Sequence, residues 1–349
     1  MRLFLYPNFV VQSTKSRDNN NLQNMISNPC RIGFLGSDEI AIPFLSDLAK
    51  KKEFSLEAVL TQPDRPAGRG RKLRPNPIKA WAVKNGCPVR DPEKPGPTEV
   101  SWFKKLEIEI LLVMAYGHIL KTDLLTVAPK GCFNLHASLL PAYRGASPIE
   151  TALALGETET GITLMRVVPR MDAGPIIDLE RVKVPVSATG PDLRVILAEA
   201  CIPLIDRCLP LLIDENVDEI EQDENQATYC RKLRKIDGAL DFSLSAEELS
   251  RRIRAFRSWP GSFFEHSGNR IRVGDAIPYH QSLLKAGEIS RTENGMLIIG
   301  TGTCALRINL LQKPGGKMLS STDFLRGYKM ANGIILDFAP SISLLRTSD

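Results

Sequence analysis

Ile108-Glu109-Ile110-Leu111-Leu112-Val113-Met114-Ala115 is apolar at every position but Glu109. A strand of this composition has no solvent face, the pattern of a parallel strand covered on both sides. Outward from it, Arg31–Leu35, Leu56–Leu60 and Gly131–Leu135 have the same character, and a shorter strand falls near Val89. Between them lie stretches with helical spacing. Ile40, Phe44, Leu45 and Leu48 form one, with Asp38 placed to cap it; Ile78, Trp81 and Ala82 form another; Val100, Phe103 and Leu106 a third. This alternation predicts an α/β domain built on a doubly wound, mostly parallel sheet. Leu193–Leu212 has helical spacing and closes that domain, with Pro203 expected to kink or split the helix.

The texture changes beyond about Leu240. Ser245 and Glu248 make a capping box for a helix whose apolar stripe is Leu249, Ile253 and Phe256. Short β-rich runs follow at Arg270–Val273, Gly295–Ile299 and Ala305–Leu311, the pattern of a small OB-like β-barrel. The expected organisation is a leader over 1–29, a first domain over 30–213, a polar and acidic linker over 214–238, and the barrel domain over 239–349. From Arg231 onward there are 18 Lys/Arg against 11 Asp/Glu, whereas the whole chain is only +5. A basic excess confined to the second domain points toward a polyanionic partner.

Several function classes are disfavoured. No apolar run approaches the roughly 20 residues that span a bilayer. The seven cysteines form no C-x-x-C pair and sit in apolar surroundings, as reduced buried thiols do. With four histidines and no H-E-x-x-H, no metal is expected. Gly33-Phe34-Leu35-Gly36 lacks the G-x-G-x-x-G spacing of a dinucleotide site, so Gly36 is assigned to the tight turn. The leader carries Arg2, Lys15 and Arg17 against the single acid Asp18 and is rich in Ser and Asn. That is the composition of an organellar transit peptide, mitochondrial or plastid, or of a tail with no address.

The residues that carry chemistry cluster in Cys132-Phe133-Asn134-Leu135-His136-Ala137-Ser138-Leu139-Leu140-Pro141. Asn134 and His136 are two apart on a strand, so they share a face at the end where open α/β sheets bind ligands. They are either a satisfied structural pair or an oxyanion donor beside a proton carrier. The turn after them, through Gly145 and Pro148, is irregular, and Leu139 and Leu140 are expected to line a pocket. Asp172, in Met171-Asp172-Ala173-Gly174-Pro175, is either a local turn cap or the acid that orients His136. Thr61–Arg74 is rich in Gly, Pro and Arg; it is not a P-loop, and is either a solvated loop or a phosphate-binding one.

At these residues the chain resembles the methionyl-tRNA formyltransferases. Phe133–Ile149 matches the family's N-x-H-x-SLLP-x-x-RGA-x-PI segment, Thr61–Gly70 its TQPDRPAGRG loop, and Met171–Ile176 its D-x-G region. The likeness extends through Tyr229–Leu233 and Ile253–Phe256 to Tyr328. It implies a formyltransferase catalytic domain with an OB-like tRNA-binding domain, and formyl transfer from 10-formyltetrahydrofolate to the α-amine of initiator Met-tRNA, without metal. It places catalysis on Asn134, His136 and Asp172, and folate binding on Ser138, Leu139, Leu140 and Pro141. It puts the acceptor-stem contact on Arg65, Arg69, Arg71 and Lys72. Ala142 and Pro175 depart from residues common in the family. Formyl transfer to a small amine, hydrolysis of formyl-folate, and non-catalytic RNA binding are the competing readings. A monomer is expected, since no heptads or association helix appear.

Overall fold

A computed structural model describes residues 28–67, 72–292 and 294–346, without the side chains of residues 67 and 72. The leader to residue 27 lies outside the described residues. Two compact units emerge, both discontinuous in sequence. One takes in residues to Arg144, Gly161–Val182 and Val195–Ala227; the other takes in Gly145–Thr160, Lys183–Arg194 and residues from Thr228 on.

The first unit is built on a seven-stranded sheet. Its strands are β1 (Cys30–Gly36), β2 (Phe54–Leu60), β3 (Val89–Arg90), β4 (Ile110–Met114), β5 (Cys132–His136), β6 (Glu159–Arg166) and β7 (Ile176–Lys183). The spatial order is β7-β6-β5-β4-β1-β2-β3. β3, β2, β1, β4 and β5 run parallel, and β6 joins β5 antiparallel. The doubly wound sheet is therefore as expected, with an antiparallel extension that the apolar pattern did not announce. Chain order reverses between β1 and β4, creating the switch point at which such sheets hold ligands. All five residues of β4 are buried, as its unbroken apolar sequence requires. Leu111 and Val113 pack with Leu35, Leu60, Phe103 and Cys132 into one core cluster.

The helices follow their local signals. Asp38 accepts from the Ile40 amide and opens a short 3₁₀ turn that leads into α1 (Ile42–Leu48). Asn76 caps α2 (Pro77–Lys84) through the amides of Ile78 and Lys79. Glu99 reaches back to the Gly96 amide at the start of α3 (Pro97–Lys105). Pro148 opens α4 (Pro148–Leu155). Of the kink or split expected at Pro203, the split does not occur: α5 runs over Gly190–Ile213 with Pro203 and Pro210 inside it. A proline removes one backbone donor. Here the helix is held instead by a buried stripe that includes Leu197, Cys201, Leu204, Cys208 and Leu212. No helix among the described residues is long and apolar enough to cross a membrane.

The stretch expected to be a linker, 214–238, divides between the units, with residues up to Ala227 in the first and from Thr228 on in the second. Ile220 bridges to Ile176 by paired backbone bonds, and Gln222 is buried in the first unit. Most of its polar side chains up to Gln226 are exposed, as its composition suggested, but Ile220 and Gln222 fasten it to the first unit.

The second unit has α6 (Ala246–Ala255) against a curled antiparallel sheet. The sheet consists of β8 (Ser262–His266), β9 (Asn269–Tyr279), β10 (Ile289–Arg291), β11 (Leu297–Gly300) and β12 (Ala305–Gln312), in the order β8-β9-β12-β11-β10. β13 (Leu319–Ser320) pairs with β12 and leads into α7 (Ser321–Gly327). Register shifts between Val273, Asp275 and Ala276 bend β9, so the sheet forms a half-barrel in keeping with the OB-like expectation. Ser245 caps α6 by accepting from the Glu248 amide, and Leu249 and Ile253 enter the core with Phe264, Ile271 and Leu306. α4 belongs to this unit because it packs on α6, where Arg251 donates to the Ala154 carbonyl. At Gly190 a Cβ would lie 2.4 Å from the Ala255 carbonyl, so only glycine permits that approach.

One ion pair anchors the unit. The Arg231 guanidinium grips both Asp237 oxygens at 2.7 Å, and the Arg234 amide adds a third bond. Burial alone would push the Asp237 carboxyl up, but the Arg231 bonds and the Arg234 amide outweigh it and hold it below the ordinary range. Asp237→Asn is expected to destabilise by about 3 kcal/mol at pH 7, the scale for losing one partner of a buried pair. A carboxyl lowered in the folded state contributes stability above its unfolded value, about 3.9, and that stability is lost as pH falls through the lowered value. Urea unfolding should therefore show the gap between wild type and variant closing below that range; a gap independent of pH would contradict the assignment.

Candidate active site

β5 ends beside the switch point and delivers two polar side chains there. Asn134 pairs in register with Val113 of β4 and Met165 of β6, and His136 with Thr163. Alternation puts both side chains on one face of the strand. Asn134 is half-buried, and among the described residues its amide makes no hydrogen bond. A buried-edge amide without a protein partner is suited to donate to an oxygen that arrives with a ligand. Beneath it, burial pushes the Cys132 thiol up to about 12. It stays protonated and is no nucleophile.

His136 is buried and held from two sides. Its Nε2 lies 2.9 Å from the Tyr143 carbonyl oxygen. A carbonyl only accepts, so Nε2 carries a hydrogen, and the tautomer is set by main chain. The Nδ1 atom then faces Asp172 Oδ2 at 3.7 Å. That is longer than a direct hydrogen bond but within reach of an ion pair, and catalytic contacts commonly tighten only when substrate binds. Both partners sit on left-handed backbone, Tyr143 at φ 58° and Asp172 at φ 48°. Non-glycine residues in that region store strain and concentrate at functional sites. In the Asp172 turn, a Cβ on Gly174 would lie 1.9 Å from the Arg166 carbonyl, so glycine lets the turn lie against β6.

The segment Ser138–Pro141 is tied down beneath the site. Ser138 Oγ donates to the Ala142 carbonyl at 2.6 Å. Thr163 Oγ1 donates to the Ser138 carbonyl at 2.7 Å and accepts from the Leu140 amide at 3.1 Å. Ser138, Leu139 and Leu140 are all buried, and Leu140 clusters with Met165 and Ile176. These side chains support the turn from within, while the Leu140–Pro141 peptide is cis.

Three partners escaped the sequence reading. Arg144 is fully buried, and its guanidinium donates to Gln222 Oε1 from Nε at 3.0 Å and from Nη2 at 2.7 Å. It also grips Glu224 in a two-pronged pair, at 3.1 and 2.9 Å. Arg144 before all else, with Arg170 assisting, holds the Glu224 carboxyl below its ordinary range. Gln222 Nε2 donates to the carbonyls of Asp172 and Gly174, at 2.9 and 2.7 Å. The only available signal was an arginine in an otherwise apolar turn, which must find an acid when buried.

The arginine-rich loop is placed in part. Arg65–Ala67 and Lys72–Arg74 form a small antiparallel hairpin. Arg65 is committed to Glu93 by two bonds, at 3.1 and 2.7 Å. The pair is exposed and worth at most about 1 kcal/mol, so a phosphate can displace it. Arg69, Arg71 and the Lys72 side chain lie outside the described residues.

Comparison with known proteins shows the family. The Formyl transferase family profile matches residues 31–200, and that of the Formyl transferase C-terminal domain matches 232–329. The methionyl-tRNA formyltransferase of Methylococcus capsulatus is 41% identical over 304 residues, covering 86% of this chain and 98% of that protein. That of Moorella thermoacetica is 37% identical over 309 residues, 88% of this chain and 99% of that one. Among solved structures, the sugar 3N-formyltransferase WlaRD, in the presence of dTDP and 5-N-formyl-THF, superposes with a TM-score of 0.59 at 17% identity, over 82% of this chain and 99% of that one. HypX from Aquifex aeolicus, in complex with tetrahydrofolic acid, gives 0.59 at 16% identity, over 84% of this chain and 46% of that one. These two establish the fold alone. On the strength of the relatives matched over nearly their full length, the chain belongs to the methionyl-tRNA formyltransferase family.

Proposed function

We propose that the chain transfers the formyl group of 10-formyltetrahydrofolate to the α-amine of initiator Met-tRNA. The observation that carries this reading is the pairing of an unengaged Asn134 amide with a His136 imidazole whose Nδ1 faces Asp172, at the end of β5. The amine attacks the formyl carbon directly. As the new C–N bond forms, the carbonyl oxygen gains charge, and Asn134 donates to it with His136 alongside. The attacking nitrogen gives up a proton through His136 Nδ1 and Asp172. The proton reaches the folate nitrogen as the old C–N bond breaks and the carbonyl reforms. No covalent enzyme intermediate is required.

Ser138–Pro141 would hold the folate. Because their side chains are buried, recognition there falls chiefly to the main chain and the shape of the turn. Arg65, Arg69, Arg71 and Lys72 would meet the acceptor stem, and the basic second unit the rest of the tRNA. The loop and that unit together favour a tRNA over a small amine. We assign the activity to an organelle on the composition of residues 1–29, and to a monomer because no association helix is evident.

Asn134→Ala and Asp172→Ala are expected to lower single-turnover formylation by about 10²–10³-fold while tRNA binding is kept. Near-wild-type rates for either variant would remove it from the mechanism. Phosphate contacts release counterions, so tRNA affinity should fall steeply with salt, and Arg69→Ala should flatten that slope by about one contact. An unchanged slope and rate would withdraw the loop's role. The leader fused to a fluorescent reporter should mark an organelle, and a cytosolic signal would defeat that assignment.

A further inference from the structure

Gln222 sits where one side chain holds two loops in place. It is only 8% exposed, and its amide is saturated. Oε1 accepts twice from Arg144, and Nε2 donates to the carbonyls of Asp172 and Gly174. Its orientation is unambiguous, since a guanidinium only donates and a carbonyl only accepts. The two ends of this chain of bonds lead to the two partners of His136. Asp172, whose carbonyl Gln222 holds, presents its carboxylate to Nδ1. Arg144, which Gln222 accepts from, follows Tyr143, whose carbonyl fixes Nε2. Asp172 and Tyr143 are both left-handed, a conformation costing of order 1 kcal/mol that persists only where surroundings impose it.

We propose that Gln222 is a positioning residue for the reaction: it locks the Asp172 turn and the Tyr143–Arg144 segment to each other and so sets the imidazole between them. It touches no reacting atom. This inference rests on the formyl-transfer reading for its kinetic consequence, though not for its geometry.

Gln222→Glu separates positioning from mere support. It matches the wild-type side chain in size and still accepts from Arg144. However, it turns a second acceptor toward the Asp172 and Gly174 carbonyls, which frees the turn. Gln222→Asn keeps all donors and acceptors but is one methylene short. Each variant is expected to lower kcat about 10²-fold, the scale of a misplacement near 1 Å, with KM for Met-tRNA within about threefold of wild type. The imidazole ¹⁵N resonances of His136, recorded without substrates, should move in both variants, while thermal unfolding shows that each is folded. If Gln222→Glu does not fold, Gln222→Asn decides alone. A folded variant with wild-type kcat, or with unmoved His136 resonances, overturns the proposal. Failure of the wild type to formylate Met-tRNA would count against the reaction instead, and the resonances would still decide whether Gln222 holds the pair.

Discussion

A guanidinium with no solvent exposure dictates much of the first unit. Removing the Arg144 charge from water is costly unless it is paired and fully hydrogen-bonded. Glu224 supplies the opposite charge and Gln222 the remaining acceptor. Both stand about 80 residues downstream, so the segment containing them has to lie along the first unit. Once there, it bridges Ile176 through Ile220 and braces the Asp172 turn. An acidic, polar stretch is thereby fastened against the turn that carries Asp172.

The sheet sets where the candidate site lies, and the network sets its geometry. Parallel strands with unbroken apolar sequence bring the ends of β1, β4 and β5 to one edge. Asn134 and His136 arrive there through strand alternation alone. What surrounds them is a carbonyl that fixes the imidazole tautomer and a carboxylate 3.7 Å from Nδ1. Both come from irregular backbone, which sheet formation alone does not place.

This division explains what could be read from the sequence. Asn134 and His136 could be placed at a strand end, and Asp172 in a tight turn, because each is a chemically distinctive residue at a position with a simple rule. The parallel sheet was legible from Ile108–Ala115 and its neighbours, and the half-barrel from short β-rich runs after a capped helix. Tyr143 was not legible, because its contribution is a carbonyl that every residue has, aimed by a left-handed φ that no local residue type announced. Gln222 was hidden by company, a neutral amide in a run of acids, and its partner is 78 residues away. The helix does not split at Pro203 for a related reason: tertiary burial of the α5 stripe outweighs the missing local bond.

WlaRD, with a similar fold, is a sugar 3N-formyltransferase, whereas the relatives of higher identity are methionyl-tRNA formyltransferases, so the acceptor is the discriminating point. The direct measurement offers the wild-type protein labelled 10-formyltetrahydrofolate with Met-tRNA, uncharged tRNA, free methionine and amino sugars in parallel. The account predicts label on the α-amine of Met-tRNA, at a rate far above that for any small amine. Label on a small amine, or release as formate with no acceptor labelled, would contradict it.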